Sequence, residues 1–434
     1  MADATLLARA LAQSWDRISV ALGAERQRVE YELISLLRQL ELGDATQRAA
    51  AVAATLALFK AHAAAQALLQ QALRGTQANS AKGGAKGGAT GDAKGGAGPA
   101  GSVPVARYTR FPVFFGTDRA QASSDSSSSD AVLTFGPARG QLVYGVAEVS
   151  IPDDARMGHI SRPRWWKLEF HADPNKHLVV HTAQLLSAEA FAARAKTTLA
   201  GAAKKEVLVF VHGFKVAFQD ALTGAAQLAY DLHFEGLAAL YSWPSEGALA
   251  RYTVDEGNVI WSRPHFVQFL SLLREQTGAD AVHLVAHSMG NRLLLDALAA
   301  LPRPPAAAAP LREVVFAAPD VDAATFKEQM SSLRSKAQRF TLYASSQDKA
   351  LMLSQTVHRY ARAGQSGLDL VLAQTIDTVD ATAVDTSLLG HSYHAENRSV
   401  LSDLFTLIRH GHTPKDRGLR EFNRYGMPYW ALRG

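Results

Sequence analysis

Five short segments of this chain hold the residue types that acyl-transfer chemistry requires. In Ala286-His287-Ser288-Met289-Gly290 a serine follows the apolar run Val282 to Val285 and precedes a helical pattern from Asn291 to Leu301. A serine on a sharp strand-to-helix turn projects its hydroxyl from the top of a sheet, and small neighbours permit that turn. The segment departs from G-x-S-x-G only at Ala286, which keeps the small size. The alternative is a serine that merely caps a helix; a strand before it and a helix after it favour the turn.

His212-Gly213-Phe214 closes an earlier apolar run. Acyl transfer builds negative charge on a carbonyl oxygen, and backbone N–H groups aimed at that oxygen stabilise it. Phe214 and Met289 are the expected donors, with Gly213 allowing close approach of the backbone. His212, at the strand end, is expected to be structural rather than the catalytic base.

The serine needs a base, and the base an orienting acid. With this type of turn the chain order is Ser, then Asp or Glu, then His. The acids at strand ends are Asp320 and Asp322 in "APDVD" and Asp348 in "YASSQDKA". The later strand is the commoner source, so Asp348 leads and Asp320 is the alternative acid. Asp322, ahead of Ala323-Ala324-Thr325-Phe326, reads as a helix cap. Among the late histidines, His358 falls in an expected helix, 351–363, while His410 and His412 end the final helix, where cations complement the dipole. His391, in "LLGHSYHAEN", follows the last strand and precedes a helix, the position from which a base reaches the serine. His394 is its nearest rival.

The elements that must position these residues are legible as period changes. Apolar runs begin at Glu206, Leu237, Ala281, Glu313 and Arg339, separated by helical stretches. Continuous apolar strands alternating with helices predict a mostly parallel sheet covered on both faces, with its site at the carboxyl ends of the strands. Gln141–Pro152 and Lys176–Leu186 alternate like further strands, and Ser123–Ser129 reads as a solvated loop.

The chain has 434 residues, 47% apolar and 20% charged, which predicts two or three soluble globular units. Residues 1–75 show helical apolar spacing and an expected small all-α bundle, in which His62 is a surface residue. Residues 76–103 read as a flexible Gly/Ala/Lys linker, and 104–434 as the catalytic domain. The helices are candidates for oligomerisation or partner binding. With no cysteine, disulfide scaffolds, Cys-based zinc sites and a cysteine nucleophile are excluded. No run is apolar enough for a transmembrane segment, and no signal peptide is recognised, so a cytoplasmic location is expected. The net charge of +5 is spread along the chain, with Lys82, Lys86 and Lys94 in the linker, so no nucleic-acid partner is expected.

From about Val105 to the last helix the chain resembles the alpha/beta-hydrolase superfamily, and more narrowly a bacterial family of predicted hydrolases of unknown function. The resemblance rests on "FFGTDR" (Phe114 to Arg119), "FVHGF", "YSWPSEG" (Tyr241 to Gly247), "AHSMGNR", "APDVD", "YASSQDKAL" and "GHSY", in that order. It implies a Ser288, Asp348, His391 triad and hydrolysis of an ester or amide, with no metal or other cofactor. A small-molecule ester or lipid-like substrate is the leading expectation. An amidase or peptidase would use the same residues, and a non-catalytic scaffold built on the same fold is a third reading. Gly213, Trp243 and His287 are expected near the substrate pocket. Trp165-Trp166 are candidates for an exposed lip or for sheet packing. Asp118 and Arg119 are expected to form a structural ion pair, and Tyr252 and Asp255 to belong to a cap over the site.

Overall fold

The computed structural model describes residues 7, 18, 45–60, 62–83, 108–122, 133–152, 176–246, 252–303, 305–348, 351, 354, 360–383 and 398–432. It divides into two units, the first of residues 1–105 and 162–172 and the second of residues 106–161 and 173–434. The first unit contains helices α1 (Ala45–Phe59) and α2 (Ala63–Gly83). Helix α2 runs eight residues past the expected start of the linker. The reason is compositional: Gln, Ala and Ser sustain a helix that has already nucleated, even without large apolar side chains. The expected earlier helices of this unit lie outside the described residues, apart from Leu7 and Ile18, which are helical and buried.

The second unit is built on one eleven-stranded sheet. Its elements in chain order are β1 (Tyr108–Gln121), β2 (Phe135–Pro152), β3 (Val179–Leu186), α3 (Ala188–Ala200), β4 (Glu206–Val211), α4 (Phe218–Asp231), β5 (Leu237–Ser242) and α5 (Tyr252–Gln276). Then come β6 (Ala281–His287), α6 (Gly290–Ala300), β7 (Leu311–Ala317), α7 (Ala323–Leu333), β8 (Ala337–Ala344), β9 (Asp377–Asp380), α8 (Arg398–His410), β10 (Arg420–Arg424) and β11 (Met427–Ala431). The spatial order is β10-β11-β9-β8-β7-β6-β4-β5-β1-β2-β3. From β11 to β1 every neighbouring pair is parallel, and antiparallel hairpins finish both edges. Helices cover both faces, with α3, α5, α6 and α7 on one cluster of buried side chains and α4 and α8 on the other.

The site follows from this strand order. The chain leaves β4 for β5 on one side, then returns across β4 to place β6 on the other. Ligands in open parallel sheets bind in the crevice opened at such a reversal, at the carboxyl ends of the strands. Strands β4 and β6 are Val/Leu/Phe-rich and buried on both faces. Their first non-strand residues are His212 and Ser288. Among the described residues no helix is long and apolar enough to cross a membrane.

Candidate active site

Ser288 sits between β6 and α6 with a φ of +50°, a left-handed conformation uncommon for a residue with a side chain. Surrounding bonds hold it there. Its N–H donates to Ala317 O at 3.0 Å, and its carbonyl accepts from the Asp320 N–H at 3.2 Å and the Asn291 N–H at 3.1 Å. The Asn291 amide nitrogen donates to both Ser288 O and Ala317 O. Glycine is required two residues on: a Cβ at Gly290 would lie 2.4 Å from His212 O and 3.0 Å from Val211 O. That contact presses the end of β4 against the turn. Gly213 does the same from the other side, since its Cβ would meet Ser288 Cβ and His287 Nδ1 at 3.0 Å each.

The loop from His212 to Val216 is tied at most of its polar groups. Trp243 Nε1 donates to His212 O at 2.8 Å, and His212 Nδ1 donates to Gly213 O at 2.8 Å. The Lys215 N–H donates to Ser245 Oγ at 2.8 Å, and Val216 O accepts from Arg119 at 2.7 Å. Among the described residues the Phe214 N–H has no acceptor, nor has the Met289 N–H at the amino end of α6. The first N–H groups of a helix lack intrahelical partners and favour negative charge.

His212 is fully buried, and burial followed by the neighbouring Arg119 charge keeps its imidazole far below the ordinary histidine range. With Nδ1 bonded to a carbonyl, its Nε2 accepts from Arg119 and Ser242, so the ring is structural, as expected. Trp243, expected near the pocket, is instead wholly buried and stacks on the His212 ring at 5.1 Å. Asp118 and Arg119 do not form the expected ion pair. Adjacent strand residues face opposite ways, so Asp118 meets His265 at 3.1 Å while Arg119 bonds to His212, Ser242 and three carbonyls.

The two acid candidates have different surroundings. Asp320 is buried and shared among Arg362 Nε (2.8 Å), Ser354 Oγ (2.6 Å), the Tyr252 hydroxyl and Arg292. Burial alone would raise its carboxyl, but Arg292 and Arg362 outweigh that and hold it below the usual carboxylate range. Asp348 lies four residues beyond β8 and accepts from the Leu351 N–H at 3.1 Å. Burial lowers the His287 imidazole, and the Asp348 charge partly offsets this. Asp322 caps α7 through Thr325 N, as its spacing predicts. His391 and His394, with Trp165-Trp166 and His358, lie outside the described residues.

The model of a family described as "Alpha/beta hydrolase of unknown function (DUF900)" matches residues 187–410, just over half of the chain. This chain belongs to that family. The matched stretch takes in β4, the Ser288 turn and both acid candidates of this alpha/beta hydrolase. An uncharacterized protein of Nostoc sp. is 26% identical over a segment covering 22% of this chain and 32% of that protein, so the match spans about a third of that relative. The solved structure of AbyA5 wild type aligns with 91% of this chain and 93% of its own at 12% identity. The TM-score of that alignment is 0.31.

Several residues of this alpha/beta hydrolase were misplaced or missed from the sequence. Tyr252 and Asp255, expected in a cap, begin helix α5 instead. The Tyr252 ring meets Phe214 edge-on at 5.3 Å, and buried Asp255 accepts from Ser245 Oγ at 2.6 Å and the Glu246 N–H at 2.9 Å. Arg292, Ser354 and Arg362 gather round Asp320 from three separate segments. Only Arg292, one turn past the serine in "AHSMGNR", carried a positional signal.

Proposed function

We propose that this chain is a serine hydrolase that cleaves carboxylic esters, with Ser288 as nucleophile, His391 as base and Asp348 as orienting acid. The observation that carries this reading is the Ser288 turn. A non-glycine residue at positive φ, braced by Asn291 and packed against two glycines, holds an uncommon backbone conformation at the carboxyl end of β6, and such conformations cluster at functional sites. His391 takes the Ser288 proton as Oγ attacks the acyl carbon. The developing oxyanion accepts from the Phe214 and Met289 N–H groups. His391 then gives its proton to the departing alkoxide, and water repeats the sequence to free the acid and regenerate the serine. Asp348 holds the imidazole tautomer and stabilises its charged form. Asp348 is favoured over Asp320 because the Asp320 oxygens are already taken by Arg362, Ser354 and Tyr252.

The test is hydrolysis of p-nitrophenyl esters of increasing chain length, alongside matched p-nitroanilides. Wild type is expected to cleave esters, while Ser288→Ala and His391→Ala each lose at least roughly 10³-fold in kcat. Full activity in Ser288→Ala would overturn the reading; faster anilide than ester cleavage would move the substrate class to amides.

A further inference from the structure

Arg119 ends the "FFGTDR" segment, and the proposed mechanism gives it no part. It is almost wholly buried, and its partners are unusual for a buried guanidinium, because no carboxylate bonds to it directly. Nε donates to Ser242 Oγ at 2.9 Å. Nη1 donates to Gly136 O at 3.3 Å and Ser245 O at 3.4 Å. Nη2 donates to Val216 O at 2.7 Å and His212 Nε2 at 3.2 Å. All five N–H bonds are thereby used, the full capacity of the fork. Burial lowers its pKa to about 10, so it stays charged at neutral pH.

These partners come from three segments: β2, the end of β5 with the loop after it, and the loop after β4. The last carries the Phe214 N–H. Two of the five bonds fall on residues two positions either side of Phe214. A third and fourth hold Ser242 and Ser245, and Ser245 Oγ in turn accepts from the Lys215 N–H and donates to Asp255. Trp243, between those serines, stacks on His212 and bonds its carbonyl. A donor aimed at a developing charge is effective only if its direction is set before reaction.

We propose that Arg119 is a positioning residue for the oxyanion donor Phe214, acting with Ser242, Trp243 and Ser245 as a buried brace under the loop after β4. This rests on the serine-hydrolase reading. The brace never touches substrate, so its loss weakens stabilisation of the tetrahedral intermediate and leaves ground-state binding alone.

The experiment compares full-length wild type, Arg119→Met, Ser245→Ala and Trp243→Phe on one p-nitrophenyl ester. Rates are normalised to the number of serines a fluorophosphonate labels at completion, so that misfolded molecules do not count. Arg119→Met is expected to lose roughly 10- to 100-fold in kcat per labelled serine with KM unchanged. An alkyl boronic acid, whose adduct places an oxygen among the same donors, is expected to bind weaker by the same factor. Ser245→Ala removes the bonds to the Lys215 N–H and to Asp255, and Trp243→Phe removes the bond to His212 O while leaving an aromatic ring in place, each for roughly a 2- to 10-fold fall. Wild-type kcat per labelled serine in Arg119→Met overturns the proposal, as does a rise in KM alone. If Arg119→Met does not fold, wild-type kcat in both milder variants overturns it instead. A wild type that neither labels nor hydrolyses defeats the parent reading itself, a result distinct from active wild type with unaffected variants.

Discussion

Gly290→Ala tests the packing that joins the two halves of the site. The added Cβ would lie 2.4 Å from His212 O, 3.0 Å from Val211 O and 3.2 Å from His212 C, whereas ordinary contact begins near 3.4 Å. All three neighbours are backbone, so no side chain can rotate away. Relief requires the end of β4 and the start of α6 to separate by about 1 Å, the shortfall at His212 O. Overpacking of this kind costs about 1–3 kcal/mol, which lowers the melting temperature by about 1–2 °C per kcal/mol in a domain of more than about three hundred residues. The same 1 Å displaces the Phe214 N–H from the Ser288 turn, and misplacement on that scale costs about 10²-fold in rate. Gly224→Ala is the control, because its Cβ would meet only Phe210 Cε1 at 3.7 Å. Lying inside α4, it is expected to gain about 0.5–1 kcal/mol. Melting curves and ester kinetics on the two variants decide the matter. Gly290→Ala with wild-type stability and wild-type kcat would refute the close-packing argument.

Two further outcomes are expected. Asp320→Asn leaves Arg292 and Arg362 facing a neutral amide in a buried setting, which costs about 3–5 kcal/mol; urea unfolding checks this, and unchanged stability would contradict the structural role given to Asp320. Stability is also expected to fall in acid. The His283 ring, its Nε2 3.4 Å from the carboxylate, ahead of the Arg312 and Lys204 charges, overcomes burial and holds the Glu206 carboxyl at about 2, against an ordinary 4.5. A carboxyl lowered on folding stabilises above its unfolded pKa, and that contribution is lost as pH falls from 4.5 towards 2. Melting temperature against pH should drop across that window and flatten in Glu206→Gln; an identical slope in the variant would show that other groups govern it.

The Ser288 turn was legible because its demands are local: a strand, small residues and a helix within ten positions. The same holds for the Asp322 cap and for the parallel sheet, whose strands are unbroken apolar runs. Arg119 was not legible. Its acceptors are three backbone carbonyls, a serine hydroxyl and a histidine ring on separate segments, and chain adjacency to Asp118 suggested an ion pair that strand geometry forbids. Trp243 misled because a strand end marks the neighbourhood of a site without saying which way a ring points. The β10–β11 hairpin also went unseen. Its two-residue turn uses Tyr425 and Gly426, both at positive φ, where Asn-Gly or Asp-Gly would have announced it. Asp320 ranked behind Asp348 on strand order alone, and its partners, drawn from α5, α6 and residues 354 and 362, had no signal in the sequence apart from Arg292.

The central claim is that Ser288 is an activated nucleophile. Its most direct test is to label the full-length protein with a fluorescent fluorophosphonate and map the adduct by peptide mass spectrometry. Stoichiometric labelling on the peptide carrying Ser288, abolished in Ser288→Ala and strongly slowed in His391→Ala, is the predicted result. Folded wild type that does not label, or that labels on a different serine, would contradict it.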